Sequence, residues 1–229
     1  MIKKHLPNAI TCGNLFCGAI AIVLAFKGET TLAIYFVFAA AVLDFLDGFA
    51  ARLLKSYSEI GKQLDSLADM VTFGVVPGVV MFLLMTKAGL GDYAYFGFFI
   101  SVFSALRLAK FNIDTRQTDS FIGLPVPANT LLIGSLILIL ENDSFNIGPF
   151  ILNPYVLFSV TAISCYMMVA EIPLFSLKFK NASFKDNRIR YIFLISSILL
   201  ITGFFYASIP LIIILYVVLS AVNNRNSKF

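Results

Sequence analysis

Apolar runs separated by short polar stretches dominate the chain. They fall at about residues 9–26, 32–54, 66–86, 93–111, 126–140, 154–171, 191–206 and 209–222. Each predicts a helix, and the pattern as a whole predicts an all-α integral membrane protein, a bundle of about eight transmembrane helices. Several runs are shorter than the ~20 residues that cross a bilayer core, so polar flanks or tilt must extend them. The last two could instead form a shallow hairpin.

One stretch breaks the apolar pattern with charge. Asp44-Phe45-Leu46-Asp47-Gly48-Phe49-Ala50-Ala51-Arg52 is followed by Gly61, Asp65 and Asp69. At about 100° per residue, a helix over 44–52 places Asp44, Asp47, Gly48, Ala51 and Arg52 on one face. Asp65 and Asp69, at i and i+4, share a face of the next helix. The polar segment 55–62 joins the two, and antiparallel packing then brings all four carboxylates to one end of one groove.

Loop charge gives an orientation. Alternate loops hold Lys3, Lys4, Arg52, Lys55, Lys62, Arg107, Lys110, Arg116, Lys178, Lys180, Lys185, Arg188, Arg190, Arg225 and Lys228, while the other set holds only Lys27 and Lys87. This is the positive-inside pattern. It predicts cytoplasmic termini and a carboxylate groove open to the cytoplasm. Six spans would give the same parity; eight is preferred because 191–222 is too apolar for a soluble tail.

Composition agrees: 229 residues are 59 % hydrophobic and 13 % charged, with mean hydropathy +0.89, against about 25 % charged in soluble domains. A single membrane domain over 1–229 is expected. The net charge of +4 sits in short loops, which favours anionic lipid headgroups over nucleic acid as a partner. Cys12, Cys17 and Cys165 fall inside apolar runs and read as small core residues without a disulfide framework. The start imitates a signal peptide, but Asn8, Thr11 and Asn14 interrupt it, so a retained first helix is expected. Gly74 and Gly78 form a GxxxG, read first as within-subunit packing and second as a subunit contact. Pro125 and Pro127 suit the first turn of the fifth helix.

Ionised side chains at mid-bilayer cost about 2.5–3.5 kcal/mol each, and clustering adds repulsion. One arginine compensates too little, whereas two divalent cations balance four carboxylates. All-oxygen donors select a hard ion, Mg2+ first and Mn2+ second.

The spacing Asp-x2-Asp-Gly-x2-Ala-Arg-x8-Gly-x3-Asp-x3-Asp runs unbroken from Asp44 to Asp69. Its eight fixed positions match by chance about once in 10^9 starts. The stretch resembles the CDP-alcohol phosphotransferases, integral membrane enzymes of phospholipid synthesis. The resemblance implies a six-helix core over about 1–172 plus an extra pair at about 190–222. It implies two divalent ions on Asp44, Asp47, Asp65 and Asp69, with Asp69 also the general base. Gly48 and Arg52 match CDP-binding positions, and Ser58 matches another. Pro7-Asn8-Ala9-Ile10-Thr11 is similar to a segment opening the first helix in many members, where Asn8 and Thr11 contact the nucleotide; both read equally well as a helix cap. A homodimer is implied as well.

Acceptor choice rests on weaker signals. Arg107, Lys110 and Asn112 end the fourth helix on the same side, and Arg107 suits an anionic acceptor. Serine or a phosphorylated polyol fits; choline and ethanolamine fit poorly. The same basic residues are also explained by topology alone. The opening Leu6-Pro7-Asn8 with Asn14-Leu15-Phe16-Cys17-Gly18, and the stretches 105–112 and 121–128, resemble the branch of the family that makes phosphatidylserine, although Lys110 stands where arginine is more usual. That branch implies transfer of a phosphatidyl group from CDP-diacylglycerol to L-serine. The alternatives are a sister enzyme using glycerol 3-phosphate or an inositol phosphate, and, from another class, a cation transporter.

Overall fold

The computed structural model describes residues 2–114, 116, 120–142, 145–176, 183 and 187–226. Lys178, Lys180, Lys185 and Lys228 from the loop-charge pattern, and most of the 115–119 loop, lie outside them. The described residues are almost wholly helical, and eight helical rods account for the eight apolar runs. α1 (Ile2–Phe26) and α2 (Thr30–Leu53) form an antiparallel pair. α3 (Glu59–Asp69) continues through a π-helical turn, Met70–Val75, into α4 (Val76–Lys87). A 3-10 segment, Gly91–Phe98, leads into α5 (Phe99–Ile113). α6 is Val126–Asn142, α7 the single turn Gly148–Ile151, and α8 Pro154–Val169. α9 (Arg188–Phe204) and α10 (Ser208–Asn226) close the chain.

Among the described residues, five segments are long and apolar enough to cross a membrane: His5–Phe26, Thr30–Leu53, Glu59–Lys87, Gly91–Ile113 and Arg188–Asn224. The 22 residues of the first reach about 33 Å at 1.5 Å per residue, enough for a hydrocarbon core of ~30 Å. Read as one rod, 37 residues from Arg188 to Asn224 would overshoot it at about 55 Å. The chain breaks instead at Phe205, whose φ is +45°, and α9 packs back against α10. The two closing apolar runs thus form two helices folded against each other. α6 and α8 have 17 and 16 residues and fall slightly short of a span.

Membrane solvent explains the burial pattern. Phe16, Phe45, Phe49, Ile198 and Leu199 are exposed, as side chains facing lipid should be. The interior lies around α4, which buries Val76, Val79, Val80, Met81, Leu84 and Met85. Gly74 and Gly78 serve contact within the chain. A Cβ at Gly78 would stand 2.1 Å from Ser101 Oγ, and one at Gly74 3.2 Å from Ser104 Cβ, so both glycines admit α5. Cys165 is buried, whereas Cys12 is exposed on α1; that thiol belongs to the protein's outer face, contrary to a core reading. Pro127 falls at the start of α6, as its sequence position predicts.

Two short strands among the described residues brace the end that carries Asp65 and Asp69. β1 (Ser120–Ile122) pairs antiparallel with β2 (Pro173–Phe175), Phe121 opposite Leu174. The Gly123 and Leu124 amides donate to Ile172 O and Met167 O. Gly123 has φ +77°, and a Cβ there would lie 2.6 Å from Met168 O, so this turn requires glycine.

Candidate functional site

α2 and α3 are antiparallel arms joined by a tight polar turn, with Lys55 in the left-handed region at φ +50°. Ser58 caps α3, its Oγ accepting from Gly61 N at 3.0 Å. This turn folds α3 back so that Asp65 meets Asp44 and Asp47. One carboxylate oxygen from each of the three lies within 4.8 Å of the other two. The Asp69 carboxyl lies against that of Asp44, so the four motif aspartates form one cluster.

α1 supplies the cluster's hydrogen-bond donors. Thr11, 3 % exposed, donates from Oγ1 to Asp47 Oδ2 at 2.6 Å. Asn14, fully buried, donates from Nδ2 to Asp69 Oδ1 at 3.3 Å. Gly61 allows the approach: a Cβ there would stand 3.0 Å from both Asn8 Oδ1 and Ser58 Oγ.

Two cavities flank the carboxylates. The larger, about 550 Å³, is lined by Asn8, Thr11, Asp47, Gly48, Ser58, Lys62 and Asp65, among others. A Cβ at Gly48 would meet no protein atom within 4 Å, so a side chain there would project into free space beside Asp47. The smaller, about 190 Å³, is lined by Asp65, Asp69, Arg107, Phe111, Asn112 and Pro125, among others. Asp65 borders both. Asp69 borders only the smaller one.

The residues expected from sequence therefore separate by cavity. Asn8, Thr11, Gly48 and Ser58 share the larger. Arg52 is not on its wall; its Nε donates back to Gly48 O at 3.0 Å. Arg107, 4 % exposed, lies in the smaller with its guanidinium 5.3 Å from the Phe111 ring centre. Asn112 joins it there, its Nδ2 donating to Ser66 Oγ at 2.8 Å. Lys110 does not line the pocket: its Nζ lies 3.2 Å from Glu171 Oε1. That exposed pair, with Arg116 also on Glu171 at 3.7 Å, ties the end of α5 to the segment before β2. Lys110 and Arg116 hold the Glu171 carboxyl below its ordinary range.

Sequence reasoning gave no site role to Asn14, Lys62 or Ser66. Asn14 had a signal, because Asn8, Thr11 and Asn14 recur every three residues and form one polar stripe in an apolar helix. Lys62 reaches from the larger cavity's wall to Asn112 O at 3.1 Å, a cross-helix contact that sequence spacing does not show.

The donor set fits a hard cation. Octahedral Mg2+ at about 2.0–2.1 Å needs oxygens roughly 3 to 4.2 Å apart, which small rotations of Asp44, Asp47 and Asp65 reach from the observed spacing. No histidine or cysteine belongs to the group, which disfavours zinc and copper.

Fold and site together define a polytopic membrane protein with an oxygen-donor acidic centre between two cavities of different lining. Residues 4–177 match the CDP-alcohol phosphatidyltransferase family, and the chain belongs to that family. A Bacillus subtilis protein named CDP-diacylglycerol–serine O-phosphatidyltransferase is 36 % identical over 171 residues, covering 74 % of this chain and 89 % of that protein. Proteins of the same name from Helicobacter pylori and Saccharomyces cerevisiae are 38 % and 33 % identical, over 59 % and 58 % of this chain. The matches span 58 % and 53 % of those two proteins.

Proposed function

We propose that the protein transfers a phosphatidyl group from CDP-diacylglycerol to L-serine, giving phosphatidylserine and CMP. The observation that carries this reading is the meeting of two cavities at Asp65, one lined by Asn8, Thr11, Gly48 and Ser58 and the other by Arg107 and Asn112. Relatives named for the same reaction support serine as acceptor.

The nucleotide end of the lipid occupies the larger cavity, where Asn8, Thr11 and Ser58 supply polar contacts and Gly48 leaves room against α2. Arg52, just off the wall, swings from Gly48 O to a phosphate as a fork of donors. Asp44, Asp47, Asp65 and Asp69 would hold two divalent ions, Mg2+ or Mn2+, which would supply positive charge against the diphosphate and against the charge that develops during transfer. L-serine enters the smaller cavity with its carboxylate toward Arg107. Asp69, on that cavity's wall, takes the proton as the serine hydroxyl oxygen bonds to the lipid-side phosphorus. The bond from that phosphorus to the CMP oxygen breaks, and CMP leaves.

In this reading the centre opens at the cytoplasmic face of a prokaryotic cytoplasmic membrane, among anionic lipids; the loop charges support the orientation. The family resemblance adds a homodimer whose contact is not Gly74 and Gly78, since both face α5.

Purified protein is tested for CMP release from CDP-diacylglycerol with L-serine, glycerol 3-phosphate or an inositol phosphate, each with and without divalent ion. Release that requires both serine and the ion is expected. Release with a phosphorylated polyol alone moves the assignment to a sister enzyme. Ion flux in liposomes without CMP release refutes the transferase reading.

A further inference from the structure

We propose that Asn14 is a positioning residue of the acidic centre, its amide nitrogen holding Asp69 while its amide oxygen accepts a hydrogen bond from a water on a divalent cation bound there. The inference rests on the metal reading above and assigns a residue that the motif does not contain.

The Asn14 side chain is 0 % exposed, and its Oδ1 is buried without a hydrogen-bond partner. Such a group is rare and unfavourable in a packed interior. Turning the amide over does not cure it. Oδ1 would then face the Asp69 carboxylate, and two acceptors would oppose each other. The observed orientation, with Nδ2 on Asp69 Oδ1, is therefore the one the carboxylate selects.

The backbone around Asn14 is fixed by contacts on both sides. Thr72 Oγ1 donates to Asn14 O at 3.1 Å, tying α1 to the π-helical turn that follows Asp69. One turn further along α1, a Cβ at Gly18 would lie 2.2 Å from Thr72 Oγ1, so the two helices touch with no slack. This contact fixes the backbone, while the side-chain amide itself is held by Asp69.

Size decides what reaches that oxygen. Asn14 lines neither cavity, so no part of a lipid or amino acid arrives there. The oxygen is sealed from bulk solvent, which leaves a single water carried on the cation as the donor assigned to it. Mg2+ and Mn2+ retain several waters when held by carboxylates, and these waters are strong donors. Outer-shell acceptors of this kind orient the ligands and tune the affinity of an ion without touching it.

The test is direct Mn2+ binding to the full-length protein in lipid nanodiscs, read by electron paramagnetic resonance without substrate. Asn14→Leu keeps the volume and removes both hydrogen bonds, and raises the Mn2+ Kd about 10- to 100-fold. Asn14→Asp keeps an acceptor oxygen and binds Mn2+ at least as tightly as wild type. Thr72→Val loosens the same helix contact, lowers Tm and leaves the Kd unchanged. A wild-type Kd in Asn14→Leu overturns the proposal, as does an equal loss in Thr72→Val, which would make Asn14 a packing residue. Should Asn14→Leu fail to fold, Asn14→Ser carries the same expectation. Wild-type protein that binds no Mn2+ removes the metal reading itself, an outcome distinct from failure of the Asn14 role.

Discussion

Thr11→Val offers the most direct check on how α1 serves the carboxylates. The substitution keeps the branched shape and removes one hydroxyl. That hydroxyl has a single proton and two nearby acceptors, Pro7 O at 3.0 Å and Asp47 Oδ2 at 2.6 Å. The shorter bond, to a charged group, takes the proton. Thr11 and Asp47 are 3 % and 6 % exposed, so water screens the interaction little. A hydrogen bond to a charged group contributes about 1.5–3 kcal/mol; a loss of about 2 kcal/mol felt in the transition state lowers kcat/KM roughly 30-fold. The assay is CMP release by purified protein, titrated with Mg2+ at fixed CDP-diacylglycerol and serine. Because the bond orients a carboxylate of the triad, the Mg2+ concentration for half-maximal rate rises as well. Thr11→Ser, which restores the hydroxyl, recovers most of the activity. If Thr11 only caps or back-bonds its own helix, Thr11→Val turns over at the wild-type rate with an unchanged Mg2+ requirement, and the reasoning is refuted.

Asp69→Asn abolishes transfer while CDP-diacylglycerol binding, followed by calorimetry in detergent, largely survives; appreciable turnover would remove Asp69 from the base role. Arg107→Gln raises the KM for serine at least about 10-fold, the cost of losing a charge-assisted pair of about 1.5–3 kcal/mol, with the KM for CDP-diacylglycerol little changed; equal effects on both constants would place Arg107 outside the acceptor pocket's chemistry. Lys110→Gln and Glu171→Gln each lower Tm slightly and leave the serine KM alone, and the double variant is no worse than Glu171→Gln. Because Glu171 is held below its ordinary range, the pair's stabilisation is present above the usual carboxylate values. It fades as pH falls through the depressed one, so the Tm difference from Glu171→Gln shrinks in acid.

How much of this was legible beforehand differs by kind of signal. The helical rods were readable because membrane solvent forces every apolar run into a self-satisfied backbone, and helix is the local solution. The four aspartates were readable because intramembrane charge is rare and its spacing is local: Asp44 and Asp47 lie on one helix, Asp65 and Asp69 on the next. The split into two cavities was not. It depends on how far Arg107 on α5 reaches toward α3, and that distance is set by Gly74 and Gly78 admitting Ser104 and Ser101, a packing fact with no local signature. Lys110 is the reverse case, since charge and neighbourhood in sequence pointed to the pocket. Yet Lys110 lies three residues from Arg107 and points its Nζ to Glu171.

The π-helical turn at Met70–Val75 explains how one rod serves both the charged centre and the apolar core. A π turn inserts about one extra residue, rotating everything beyond it by roughly 100° relative to a straight helix. Before the turn, Asp65 and Asp69 face α1 and α2; after it, α4 buries Val76, Val79, Val80 and Met81. Without the insertion, the face that bears Asp65 and Asp69 would continue into positions that must be apolar on all sides. Two of its carbonyls are met by neighbours, Thr130 Oγ1 of α6 donating to Phe73 O at 2.7 Å and Ser101 Oγ of α5 to Gly74 O at 2.9 Å, and its own Thr72 Oγ1 donates to Asn14 O of α1. Three hydroxyl contacts to three helices fix the register at Thr72, Phe73 and Gly74, three to five residues beyond Asp69. The rotation that frees α4 to pack thus lets Asp65 and Asp69 face the acidic cluster from the same rod, and the two requirements are met by one local defect in the helix.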